Sequence, residues 1–278
     1  MSYVNTHHER IRMKKYKIID SHCHIYPDRI ARKASDSTSE FYHMPSLYDG
    51  KISTLLSEGA AAGIEHFVIQ SVATAPKQVS GINHFISDAV KDNCGKFTGL
   101  GTLHPDSENL EAEFHEIVAL GLKGVKLHPD IQRVAIDDPR MLKIYELCEG
   151  RLPILMHTGD SRFDYSNPNR MKPVLDSFKN LTVIGAHFGG WSVWDEAERM
   201  LSGYENFYVD TSSSLYEITP ERAEGLIRIF GAKKVLFGTD YPMWEIKTEI
   251  SRFMKLNLTE EEREDILYNN TARLFGME

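Results

Sequence analysis

Eight short apolar runs, rich in β-branched residues and separated by stretches of helical periodicity, constrain this chain more than any other feature. They fall at 17–20 (KIID), 66–72 (HFVIQSV), 96–103 (KFTGLGTL), 124–128 (GVKLH), 152–158 (LPILMHT), 181–187 (LTVIGAH), 206–212 (NFYVDTS) and 234–240 (KVLFGTD). Strands that alternate with helices pair in parallel, because each connection crosses a helix before the next strand begins. From the third run onward, strand ends recur every roughly 25–30 residues, the length of one strand–helix unit. Eight such units in 278 residues fit a closed (β/α)8 TIM barrel better than an open α/β sheet, and one barrel domain over 1–278 is the expectation.

The helices carry recognisable ends. Asp138-Pro139 and Thr219-Pro220 each place a side-chain acceptor before a proline at the first helical position, and Gly150 follows the helix MLKIYELCE. Thr259 with Glu262 predicts a capping box for the final helix, and Ser192 with Asp195 a weaker one. Leu110, Phe114, Ile117 and Leu120 fall at helical spacing and predict one buried stripe. The interval after the first strand is longer than the others. Its surplus, about 25–46, is polar at its centre (ARKASDSTSE). It reads as a long loop over the barrel mouth, a lid or substrate loop. Asn269 and Asn270 read as local turn chemistry near the tail.

Composition narrows the partners. Hydrophobic residues at 41% and charged residues at 26% describe a globular chain, not a disordered one. The net charge of −8, from 32 basic and 40 acidic residues, leaves no broad basic footprint for nucleic acid. Cys23, Cys94 and Cys148 are too few and scattered for a disulfide framework. There is no apolar leader and no run near the roughly 20 residues of a membrane span. A reduced, cytoplasmic, soluble protein with a small-molecule substrate is expected, with no nucleic acid or membrane partner. A homo-oligomer is left open.

Polar residues collect where the strands end: Asp20-Ser21-His22-Cys23-His24, Lys126-Leu127-His128, His157, His187, Asp210 and Asp240. Side chains alternate across a strand, so His22 and His24 share one face with Cys23 on the other, and Lys126 shares a face with His128. By the same rule Gly185 lies below His187 and Gly238 below Asp240, leaving room at the barrel axis. A His-x-His pair with further His and Asp offers nitrogen and oxygen ligation suited to zinc, manganese, nickel or iron. A metal held by three or four protein ligands keeps a position for water and lowers its pKa to about 7.

The ordered segments IIDSHCHIYP, GLKGVKLHP, PILMHTGD, VIGAHFGG, VLFGTDYPM and NNTARLFG resemble the amidohydrolase superfamily. Their finer texture resembles its family 2 branch, which includes aminocarboxymuconate-semialdehyde decarboxylase and related decarboxylases, hydratases and lactonases. The resemblance implies that His22, His24, His157 and Asp240 ligate a divalent metal, zinc being the expected ion. It also implies that Asp240 takes the proton of metal-bound water. His187 would ligate a second metal or act as acid/base beside the first. Lys126 would bridge two ions if carboxylated. Otherwise it would pair with a carboxylate or hold an anionic substrate.

Several residues have plainer readings. Cys23 reads as packing, Asp210 as a loop cap ahead of a group that orients a ligand, and Trp191 and Trp194 as pocket wall or packing. His104-Pro105-Asp106 and His128-Pro129-Asp130 read as loop devices, with His128 also in reach of substrate. Arg162 reads as a group that neutralises a substrate carboxylate, and His7-His8 as an exposed pair. The expected reaction is hydrolysis of an amide, ester or lactone bond in a small carboxylate-bearing substrate. The alternative is non-oxidative decarboxylation or hydration of an aromatic or unsaturated acid. A nuclease is disfavoured by the net acidity, and an inactive metal-binding scaffold by the complete ligand set.

Overall fold

The chain closes its parallel strands into a ring by two different seams. The computed structural model describes residues 16–277, so His7-His8 lies outside the described residues. Strand β1 (Ile19–His24) pairs with β2 (His66–Gln70), and β2 with β3 (Phe97–Gly99). The strands β4 (Gly101–Thr102), β5 (Val125–Leu127), β6 (Ile154–Met156), β7 (Val183–Gly185), β8 (Phe207–Asp210) and β9 (Val235–Leu236) then pair in sequence order. The third apolar run thus carries two strands, split at Leu100. There Leu100 N donates to Ile69 O and Lys123 N to Gly99 O, each at 2.9 Å, so the ladder continues across the split. At the other seam Ser21 N donates to Phe237 O at 2.9 Å and His24 N to Tyr241 O at 2.7 Å. The result is the expected (β/α)8 TIM barrel.

The interior and the outer layer of the barrel draw on different residues. Ile19, Val68, Leu100, Leu155, Ile184 and Leu236 fill the interior, joined by Ala272 and Phe275 of the helix Asn270–Phe275. Val125, Leu127, Val183, Phe207 and Val209 belong to the layer beneath the helices. Fully burying such a side chain stabilises the fold by about 1.5–3 kcal/mol. Cys23 also lies in the outer layer, although strict alternation would put it with Ile19. A register shift in β1 between Asp20 and Cys23 accounts for this. Gly185 corrects the expectation of free space under His187, because a Cβ there would sit 2.4 Å from the Phe207 ring. Gly238 does make room, since its Cβ would sit 2.9 Å from His22 Cβ.

Most helix ends form as read. The Asp138 carboxylate accepts from Arg140 N, the Thr219 hydroxyl accepts from Arg222 N, and the Thr259–Glu262 box is reciprocal. Phe114 and Ile117 are buried, with Leu110 and Leu120 packed at the edge of the core. The Ser192–Asp195 box does not form. Its helix starts at Trp194, and Ser192 Oγ instead accepts from Ser161 N at 2.9 Å. Asn270 is more than turn chemistry, because its Nδ2 donates to Ala232 O and Val235 O, tying the tail to β9. The three cysteines are free thiols. No helix among the described residues is long and apolar enough to cross a membrane.

The stretch 25–46 holds a helix, α1 (Ala31–Tyr42), where the composition read as loop. Ser37, Thr38 and Ser39 return their hydroxyls to the carbonyls of Lys33, Ala34 and Ser35. Residues that usually compete with a helix are thereby satisfied inside it. The next helix, α2 (Ile52–Ala62), packs on β2 through Gly59, where a Cβ would lie 2.1 Å from Phe67 Cζ. Gly59→Ala therefore lowers stability by about 1–3 kcal/mol through overpacking. Gly225→Ala, in the helix Pro220–Phe230 with open space at its Cβ, raises it by about 0.4–1 kcal/mol. Urea unfolding checks the pair, and midpoints that coincide would contradict this packing.

Candidate active site

The strand ends set five imidazoles in a continuous row. Ring centroids run His24–His22 at 5.2 Å, His22–His187 at 5.4 Å, His187–His157 at 4.9 Å and His157–His128 at 4.0 Å. At one end the Nε2 atoms of His22 and His24 approach to 3.2 Å. Asp240 Oδ1 lies 3.4 Å from the first and 3.6 Å from the second. Lys126, buried inside the barrel, places Nζ 3.2 Å from His22 Nε2.

Two buried aspartates hold this geometry. Asp210 Oδ2 lies 2.8 Å from His22 Nδ1, and its Oδ1 accepts from the backbone N–H of His187 and of Ser212, both at 3.0 Å. It therefore both caps the loop and orients a histidine, so the two readings of this residue hold together. Asp20 accepts from Thr239 N at 2.9 Å and from the Thr239 hydroxyl at 2.5 Å, tying β1 to the segment that carries Asp240. His187 and Asp240 both have φ of 60°. This left-handed backbone, rare for a residue with a Cβ, is what turns His187 into the row despite the outward-facing Gly185. The Ser212 carbonyl faces His187 Nδ1 at 2.9 Å, and Ser213 Oγ donates to Asp240 Oδ2 at 2.5 Å.

With Nδ1–H of His22 directed at Asp210, its Nε2 carries a lone pair toward His24 Nε2 and Asp240 Oδ1. Donor atoms that converge without a proton between them fit a cation. His22, His24 and Asp240 lie within 4.8 Å of one another in this sense. His157 falls in a second such group, with His128 and Asp130. There Asp130 Oδ2 stands 3.6 Å from His157 Nε2, and neither of its oxygens has a hydrogen-bond partner.

Burial governs the protonation of the row. It pushes His24, His128 and His157 well below the usual imidazole value, and His187 below it. Burial also lowers the Lys126 ammonium to about 8, against the opposing pull of Asp240 and Asp210. Burial alone would raise Asp210 and Asp240, but the nearby His22 and His187 outweigh it and hold both below the carboxylate range. Burial lifts Asp20 and Asp130 to about 6.

A cavity of about 710 Å³ opens over the row and is lined by His22, His24, Lys126, His128, His157, His187 and Asp240. Helix α1 covers it. Tyr42 Oη lies 2.7 Å from His128 Nε2, and its ring meets Trp191 edge-on at 5.2 Å. Arg162 is not among the lining residues. Its guanidinium is spent on Asp160, at 2.9 and 2.7 Å, and on Phe41 O at 2.7 Å, while it lies over the Phe41 and Tyr42 rings. The expected role in neutralising a substrate carboxylate is corrected to one of pinning α1 to the barrel. Trp194 donates to His187 O at 3.0 Å, and His104 accepts from Asp106 N, a loop device as read. Tyr42, Ser212 and Ser213 were not singled out in the sequence, and Asp130 was read only as part of a loop device. Tyr42 sat in a stretch read as loop, and the serines acquire their partners only through the left-handed turns.

The sequence profile described as Amidohydrolase matches residues 19–277. The 2-amino-3-carboxymuconate-6-semialdehyde decarboxylase of Dictyostelium discoideum is 24% identical over 71% of this chain, and the match spans 66% of that relative's length. An uncharacterised TIM-barrel protein of Bordetella bronchiseptica superposes with a TM-score of 0.80 at 25% identity, covering 94% of this chain and 98% of that one. A dihydroxybenzoic acid decarboxylase of Polaromonas sp. JS666, with bound manganese and the inhibitor 2-nitroresorcinol, superposes with a TM-score of 0.73 at 16% identity, covering 95% and 98%. The expected hydrolysis of an amide, ester or lactone is overturned here, since the activities these relatives are named for are decarboxylations.

The protonation pattern has a consequence for stability. His24, His128, His157 and His187 stay neutral in the folded chain, whereas the unfolded chain charges them as pH falls through about 6.5. The unfolded state then binds more protons, and stability drops. Asp20, Asp130 and Glu249 act the other way, keeping their protons up to about 6, about 6 and about 7 when folded, but they are three groups against four. The melting temperature of metal-free protein should fall between about pH 8 and pH 5.5. A flat or rising profile would contradict the buried neutral row.

Proposed function

Because the chain belongs to the amidohydrolase family, whose profile spans residues 19–277, we propose that it is a metal-dependent decarboxylase of an aromatic or unsaturated acid. The observation that carries this reading is the convergence of His22 Nε2, His24 Nε2 and Asp240 Oδ1 at the head of a cavity walled largely by apolar and aromatic groups. His22, His24 and Asp240 would hold a divalent ion, with His157 as the further donor the family resemblance implies. Imidazole and carboxylate donors suit zinc, the expectation from the sequence, and manganese, the ion in the Polaromonas structure. Such an ion, when bound, supplies Lewis acidity that draws electron density from the acid's oxygens.

The protein's own groups do the rest. Asp210 fixes the His22 tautomer so that Nε2 remains a donor. Lys126 meets the anionic head of the substrate from inside the barrel. As the carbon–carboxylate bond breaks, its electron pair enters the ring or unsaturated chain, and the carbon left behind needs a proton. His187, whose Nδ1–H is held by Ser212 O, takes up a proton from solvent at Nε2 as the anionic acid binds and delivers it to that carbon. Tyr42 and Trp191 keep bulk water from the carbanionic carbon.

Metal-loaded enzyme should release carbon dioxide from members of a panel of aromatic and muconate-like acids. Lactone hydrolysis without such release would overturn the proposal. His187→Asn should lower kcat by about 10²–10⁴-fold with a smaller change in KM. Asp210→Asn should weaken metal affinity by about 10–100-fold in a chelator competition. Elemental analysis should find about one ion per chain in both the wild type and Lys126→Ala. Loss of a second ion in that variant would instead assign Lys126 as a carboxylated bridge.

A further inference from the structure

We propose that this cavity accepts an elongated dianionic acid, with one carboxylate at the histidine row and a second anionic group at Arg29 and Lys33, joined by an apolar body. Which carboxylate reacts rests on the decarboxylase reading. The distal site rests on geometry of its own.

One continuous cavity joins the two ends. It is lined by His22, His24 and Asp240 at the head and by Arg29 and Lys33 at the α1 rim. Its volume of about 710 Å³ lies within the roughly 300–1,000 Å³ of pockets that enclose drug-sized ligands. A single carboxylated ring would leave much of it to water. The wall between the ends is apolar, with Ile30, Met44, Ile82 and Phe85 among its lining residues. An extended hydrocarbon body would dehydrate that wall, whereas a small polar acid would not.

The rim has an unbalanced charge. Neither the Arg29 nor the Lys33 side chain has a hydrogen-bond or ion-pair partner among the described residues, while the intervening Arg32 is paired with Asp36 at 2.9 Å. Arg29 lies in the turn just before α1 and Lys33 in its first turn, and both line the same cavity, so two unpaired positive charges share one rim and repel. An anion between them removes the repulsion and gains charge-assisted hydrogen bonds from both. Arg162, the basic group that the sequence offered for a carboxylate, is already committed to Asp160, which leaves Arg29 and Lys33 as cations at this rim.

Calorimetric titration of metal-loaded protein tests this with two probes. One is a hydroxylated biphenyl monocarboxylate, and the other is the same molecule with a second carboxylate on its far ring. The dicarboxylate should bind about tenfold more tightly at low salt, with the advantage shrinking as salt rises. The double substitution Arg29→Ala/Lys33→Ala should bring the dicarboxylate down to the affinity of the monocarboxylate. Arg29→Glu/Lys33→Glu should invert the preference. Equal affinities in the wild type, or a preference that survives both double substitutions, would overturn the distal site. Carbon dioxide release in the same samples reports separately on the reaction. A distal preference without release removes the decarboxylase reading and leaves the site standing, and release without a preference does the reverse.

Discussion

The carboxylate of Asp210 is the contact on which the arrangement of the site depends. It is fully buried, and burial alone would favour its neutral form. It stays charged because one oxygen faces His22 Nδ1 while the other accepts two backbone N–H groups, from His187 and Ser212. Three strand ends, those of β1, β7 and β8, are thereby tied to one negative charge. Breaking such a set leaves an unpaired charge or unpaired donors in a low-dielectric interior, which costs far more than an exposed ion pair. Asp20 makes the corresponding tie between β1 and the segment after β9. The barrel seam and the site are thus braced by the same kind of contact.

From those ties follows the electrostatic character of the row. Burial pushes the imidazoles of His24, His128, His157 and His187 toward the neutral form that metal donors need near neutral pH. The positive charge at the convergence comes from Lys126, held 3.2 Å from His22 Nε2. A bound divalent ion would take over that compensation at the same place. Around this polar head the cavity is closed by α1, which Arg162 and Asp160 pin through the Phe41 carbonyl. The helix is thus both cover and wall. Its ring contacts with Trp191 and His128 make the mouth aromatic where the substrate's π-system would lie.

Much of this was legible in the residues. Eight β-branched runs, evenly spaced from the third onward, announced the barrel, and the order His22-x-His24, His157, His187, Asp240 announced the cluster. Period-two alternation placed Lys126 and His128 correctly because β5 is regular. It failed at Gly185 because the chain reaches His187 through a left-handed residue, whereas Cys23 does face away from His22 and His24 into the outer layer, even though β1 shifts register before it. Neither event has a signature in a single sequence. The helix α1 was missed because its serines and threonine satisfy their hydroxyls on the helix's own carbonyls, so composition and conformation disagree. Arg162 was misassigned because a charge alone does not reveal that Asp160, two residues earlier, already holds it. The reaction was misread as hydrolysis because the ligand set is common to several chemistries, and the choice among them lies with the cavity and with the relatives' named activities.

The central claim is that donors distant along the chain converge on one divalent ion at His22, His24 and Asp240. Anomalous diffraction from crystals of protein loaded with manganese tests it most directly. The account predicts a strong peak within ligating distance of His22 Nε2, His24 Nε2 and an Asp240 oxygen. Crystals without a peak there, or with their only peak at His128 and Asp130, would contradict it.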